Sequence, residues 1–182
     1  MSDLVQRLRA LHMLWDRGVA DLTLEQVNHF ERAGVLPIAF TLVHFVQGQD
    51  AHAGDLLDLD GQLWDEHAAR FGFTGKIPSR GTPMADAERV RIGDLGPWRT
   101  YQRAVFDRTE QALEGMSEER LDMPMFDGGR PASLKGGFLE AYLPKGIIRR
   151  HHAIEAWLFQ HGSRHLGELE HARALVGLGG LT

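Results

Sequence analysis

Residues 154–176 read Ile154-Glu-Ala-Trp-Leu-Phe-Gln-His161-Gly-Ser-Arg-His165-Leu-Gly-Glu168-Leu-Glu-His171-Ala-Arg-Ala-Leu-Val176, and Gly177, Gly179 and Gly180 follow. The pattern predicts a helix of about 30 residues from about Gly146 to Val176, stopped by those glycines. At about 100° per residue, Ile147, Leu158, Ala172 and Val176 share one narrow sector with Ile154. His161 and His165 fall in the middle of the same sector, one turn apart.

Working outward, three more helices of useful length emerge. Leu4, Leu8, Leu11 and Trp15 are at helical spacing, with Gly18 expected to end the first helix. Thr23-Leu-Glu-Gln26 has the form of a capping box that opens a short helix. Pro37 suits the first turn of a second long helix reaching about Leu59, with Ile38, Leu42, Phe45 and Leu56 on its apolar face. A third runs from about Pro97 to Glu114, capped by Asp94 or Gly96, and turns Trp98, Tyr101, Val105, Thr109 and Ala112 inward. Between these helices, 61–96 and 117–145 are rich in glycine and proline and form two long connections. No alternating strand pattern is present. The expected fold is all-α, a four-helix bundle with two long connections, in a single domain over residues 1–182.

Composition narrows the function classes. The chain has 182 residues, 43% of them hydrophobic and 25% charged, in the ordinary range for one globular domain. A net charge of -5 without a long basic stripe argues against nucleic-acid binding. No apolar run approaches the ~20 residues of a membrane span. The start Met-Ser-Asp-Leu lacks the features of a signal peptide, so the expected location is cytoplasmic. The absence of cysteine excludes disulfides, thiolate metal sites and a cysteine nucleophile, so any metal must be held by His, Asp or Glu.

The ten histidines are therefore the residues to sort. Two imidazoles at i and i+4 in an apolar stripe are costly unless their ring nitrogens find partners, and a shared metal ion satisfies one nitrogen on each ring. Two separately hydrogen-bonded core histidines are the alternative. Three protein ligands with an open position is the usual catalytic arrangement, so another helix must supply a third. His44 lies in mid-helix beside Thr41, Gly48 and Ala51, but about 100° from the centre of its helix's apolar stripe, and spacing does not separate it from His52. His161-Gly-Ser-Arg-His165 lacks the glutamate of a zincin, and only Glu168-Leu-Glu-His171 matches a di-iron helix motif. His12, His29, His67, His151 and His152 have no comparable partner and read as surface or loop residues, and His171 as solvated. Asp50, Asp55 and Glu168 are the carboxylates expected near the site.

Three stretches together resemble the DinB/YfiT-like superfamily of metal-dependent hydrolases and thiol transferases: 35–44, ending at His44; Gly61-Gln-Leu-Trp64; and His161-Gly-Ser-Arg-His165-Leu-Gly-Glu168. The resemblance extends from about Leu4 to Gly177. It implies a four-helix bundle with His44, His161 and His165 as ligands of a divalent metal, Zn or Ni, and often a homodimer. It also implies chemistry on a small-molecule substrate with a low-molecular-weight thiol such as mycothiol or bacillithiol. Many members carry Glu-Asp shortly after the first ligand, whereas this chain has Gln49-Asp50. Gln49 can hydrogen-bond but cannot act as a base.

Two function classes follow. In the first, three neutral imidazoles leave the ion its full charge, giving a metal-dependent thiol transferase or hydrolase whose thiol comes from a cofactor. In the second, the bundle is non-catalytic, its metal site structural or vacant, and the helices serve dimerisation or partner binding.

Overall fold

A computed structural model describes residues 3–126 and 129–181. Its four long helices are α1 (Asp3–Ala20), α2 (Ile38–Leu57), α3 (Leu95–Glu114) and α4, which is continuous through Arg150–Ile154, a π-helical stretch Glu155–Gln160, and His161–Leu175. Short turns occupy the connections, among them Leu24–Val27, Trp64–His67, Met84–Ala87, Glu118–Leu121 and Phe138–Tyr142. No strand forms among the described residues beyond two isolated bridges, Thr74 with Arg91 and Pro124 with Arg149. The fold is all-helical.

Each long helix packs against two or more others: α1 against α3 and α4, and α2 against α3 and α4. Trp15, Phe45, Phe106, Trp98 and Tyr101 fill the space between them and are fully buried. The Thr23 capping box forms, with Thr23 Oγ1 accepting from Gln26 N at 3.2 Å and Gln26 Oε1 from Thr23 N at 3.0 Å. At the start of α3, Asp94 Oδ1 accepts from Gly96 N at 2.8 Å.

Several sequence expectations need correction. Gly18 does not end α1, which continues to Ala20. A Cβ at Gly18 would stand 2.8 Å from Leu169 Cδ2, so the missing side chain allows α1 and α4 to approach closely. The last helix starts at Arg150 rather than Gly146, and Ile147 lies outside it, 57% exposed. Within α4, the wider π-helical turn changes the phase on which the inward stripe was drawn. Gly162, His165, Leu169 and Arg173 are buried, while Ala172 and Val176 are only partly so. Arg173 tolerates burial because its guanidinium forks onto Asp21, at 2.6 and 2.9 Å, and donates to the Gly18 carbonyl.

His12 is fully buried, against the surface reading. It follows Leu8 by one turn and so shares the inward face of α1. Its ring stacks on Phe106 with centroids 3.9 Å apart. Nδ1 donates to Glu110 at 2.6 Å and Nε2 accepts from the Gln49 amide at 3.0 Å. Burial keeps this imidazole neutral by lowering its pKa. Although burial pushes Glu110 up, the hydrogen bonds from His12 and Arg103 hold it at about 2.

Asp50 is likewise structural. Its carboxylate accepts from Leu63 N at 3.2 Å, Trp64 N at 2.8 Å and Tyr101 Oη at 3.1 Å, fastening the start of the first long connection to α2 and α3. Gln49, bonded to His12 and Thr109, belongs to the same buried polar layer. Asp55 is exposed.

Candidate metal centre

Helix α2 is apolar on most of its circumference, with buried residues from Ile38 to Leu57 on several faces. It therefore has no single inward stripe, and the 100° offset of His44 places that ring towards α4 rather than towards solvent. On α4, His161 and His165 lie downstream of the π-helical stretch, so their one-turn relation is that of an ordinary α-helix.

The structure brings His44, His161 and His165 together, with one nitrogen from each within 4.8 Å of the others. Ring centroids are 5.2 Å apart for His44 and His161, 4.7 Å for His44 and His165, and 4.4 Å for His161 and His165. The rings meet edge to face, at 69°, 84° and 82°. His52 is not part of the group; its ring is exposed and its Nδ1 bonds the Gly48 carbonyl at 2.6 Å. His171 is also exposed, as expected.

The donor set suits a divalent cation on three counts. His161 Nε2 and His165 Nε2 are 3.0 Å apart, near the ~3.4 Å that two nitrogens keep when each sits ~2.1 Å from a shared tetrahedral ion. His165 Nδ1 is 2.6 Å from Glu168 Oε2, and a carboxylate on one ring nitrogen fixes the tautomer that leaves the other as a lone pair. His44 Nδ1 is buried without a hydrogen-bond partner, an unsatisfied group of the kind that calls for an explanation.

Protonation agrees with this geometry. Burial, reinforced by the neighbouring imidazoles and Arg164, pushes His161 and His165 down to about 3. Burial also lowers His44, against the opposing charge of Glu168. All three are thus neutral at pH 7, the state in which imidazole is a ligand. Because the folded pKa values of His161 and His165 lie below the ordinary 6.5, the unfolded chain binds more protons in acid. Their contribution to stability is therefore present above pH 6.5 and lost as the pH falls towards 3. We predict that thermal melting of the metal-free protein drops progressively below pH 6.5, and that His161→Gln/His165→Gln flattens that dependence. An unchanged pH profile in the double variant would contradict the buried, neutral state.

A cleft of about 760 Å³ opens beside His44 and His161. Pro78, Ser79 and Arg80 of the first long connection wall one part of it, and residues from Ser133 to Leu139 of the second wall another. Arg80 Nη1 donates to the Ser133 carbonyl at 2.8 Å, tying the two connections together. Sequence reading did not single out Arg80, Arg164 or Trp157, which line this space; only their position in the fold brings them to it.

No family model matches the sequence, and no curated protein matches it. Among solved structures, the chain is similar to the crystal structure of the conserved protein of locus from Enterococcus faecalis, with a TM-score of 0.75 at 15% identity. The likeness covers 98% of this chain and 99% of that one. At that identity it speaks for the fold alone.

Proposed function

We propose that the chain is a four-helix bundle of the DinB/YfiT-like kind that holds one divalent metal ion, Zn or Ni, and acts on a small molecule as a thiol transferase or hydrolase. The convergence of His44, His161 and His165 carries this reading. When bound, such an ion supplies Lewis-acid activation of a water or a thiol. His44, His161 and His165 would hold it, and Glu168 orients His165 through Nδ1. The three ligands include no carboxylate or thiolate to neutralise the cation. With no cysteine in the chain, any thiol must come from a small cofactor.

The cleft favours the catalytic reading over the non-catalytic one. Its volume is within the range of small-molecule sites, and it adjoins the imidazoles instead of lying elsewhere on the surface. The two connections cover it, excluding part of the solvent. Asp50 and Gln49 are engaged elsewhere and are not candidates for a base.

The test is a screen of the metal-loaded protein for thiol transfer with mycothiol, bacillithiol and glutathione, and for ester and amide hydrolysis, with His44→Ala as control. Turnover in the wild type and its loss in the variant is the expected outcome. Turnover that persists in metal-free His44→Ala would separate the chemistry from this site, and inactivity throughout would favour the non-catalytic bundle.

A further inference from the structure

Among the described residues the charged lining of the cleft is of one sign: Arg80 and Arg164 face it together with His52, and no described aspartate or glutamate lines it. This is unusual in a chain of net charge -5. It is also local: a neighbouring cleft at the start of α4, which shares Phe138 with this one, is lined by Asp3, Glu118, Glu119, Asp122 and Glu155 beside Arg7, His151 and His152.

Neither guanidinium is used up by the fold. Among the described residues Arg164 makes no hydrogen bond or ion pair, and Arg80 donates only to the Ser133 carbonyl. By contrast Arg7, Arg103 and Arg173 all sit on carboxylates. Arg164 is one residue from His165 and three from His161, so its charge stands at the imidazole cluster, where it helps keep the rings neutral. A third feature is apolar: Trp157, Leu134 and Leu139 form a wall of the same cleft.

A guanidinium fork matches the oxygens of a carboxylate or phosphoryl group, and Arg80 and Arg164, both exposed at the cleft, present such forks to a ligand. We propose that the cleft takes a small organic anion, its charged end held by Arg164 and Arg80 and its apolar body against Trp157 and Leu139. This names a substrate class for the site described above and rests on the reading of that cleft as the substrate site. Arg164 and Arg80 are then specificity residues: they select the anion and hold it beside the imidazoles. A cationic ligand of the same shape is rejected by the same two charges.

The test uses ligands of defined charge. 4-Phenylbutyrate, phenylphosphonate, 4-phenylbutan-1-ol and 4-phenylbutylamine are titrated into the wild type, Arg164→Gln, Arg80→Gln and the double variant, with affinity read by calorimetry and by shifts of tryptophan resonances. Each series is run on the metal-loaded protein and on metal-free His165→Ala. The expected result is that an anion binds about tenfold tighter than the alcohol, the amine not at all, and that the double variant brings anion and alcohol level. Arg164→Lys should restore part of the preference, which a merely structural role would not do. Comparison of the two anions tells carboxylate from phosphoryl selection. Equal binding of alcohol and anion in the wild type, or a preference that survives the double variant, overturns the proposal. Persistence of the preference in a protein that never binds metal would leave it standing while the metal reading fails; metal binding without the preference is the reverse.

Discussion

Replacing His165 by alanine is expected to abolish the metal binding proposed for this site. The wild-type chain, loaded with Zn or Ni and dialysed, should retain about one ion, and His165→Ala should retain none above background by elemental analysis. The loss is expected to be complete because His165 supplies two things at once: the Nε2 that faces His161 Nε2, and the Nδ1 contact to Glu168 that orients it. Removing it leaves two imidazoles from different helices, His44 on α2 and His161 on α4. Glu168→Gln should behave differently. An amide can still accept from Nδ1 but without the charge, so the ion should bind with an affinity about 10–100-fold lower rather than disappear. The neutral state of the rings adds a pH signature. With His161 and His165 at about 3, protons should not displace the ion between pH 7 and about 5, where unperturbed histidines would begin to release it. Undiminished metal in His165→Ala would end the three-histidine centre. Zn and Ni both suit imidazole and are not separated by this experiment.

What the sequence disclosed here and what it hid differ for physical reasons. The relation of His161 to His165 is a property of a single helical turn, and nothing upstream disturbs it. The rest of the stripe on α4 was drawn by carrying a 100° step from Ile154, and the π-helical stretch Glu155–Gln160 breaks that step, so Ala172 and Val176 were placed inward where Leu169 and Arg173 belong. A π turn has no reliable sequence signature. His44 was hard to distinguish from His52 because α2 is buried nearly all round, and an angular offset from one stripe loses its meaning on such a helix. The burial of His12 is legible in the sequence, since it stands four residues after Leu8 on the inward face, whereas its hydrogen-bond partners Glu110 and Gln49 lie on other helices and leave no local signal. Gly18 read as a stop because glycine often ends helices, whereas here it serves a close crossing. The carboxylates after His44 looked like site residues by proximity in sequence, but six residues of helix carry Asp50 about 120° round from His44, onto another face, where it holds Trp64.

Two glycines on α4 should respond in opposite directions to the same substitution. Gly162 and Gly167 are both helical, and alanine in a helix is intrinsically favoured over glycine by up to about 1 kcal/mol. Gly167 is exposed with nothing within 4 Å of an added Cβ, so Gly167→Ala should stabilise by a fraction of that amount. At Gly162 the added carbon would meet Leu11 Cδ2, Phe45 Cε2 and Phe45 Cζ, all at 2.7 Å. A phenyl ring stacked on Trp15 with centroids 4.3 Å apart cannot yield as the tip of a flexible side chain can. Trp15 is itself pinned, donating to the Gly162 carbonyl at 3.3 Å. Overpacking of this kind costs about 1–3 kcal/mol, enough to outweigh the helical preference. For a chain of this size that is a fall of roughly 2–12 °C in melting temperature. The consequence extends to the site, because Gly162 lies between His161 and His165: pushing α4 away from α1 and α2 draws both rings from His44. Gly162→Ala should therefore lose metal affinity as well as stability, and Phe45→Leu, which removes the obstructing ring edge, should restore part of both. Thermal melting and metal titration of the three variants check the argument. A Gly162→Ala protein as stable as Gly167→Ala, with unaltered metal affinity, would show that the close approach of α4 at this point is not what sets the His44 to α4 distance.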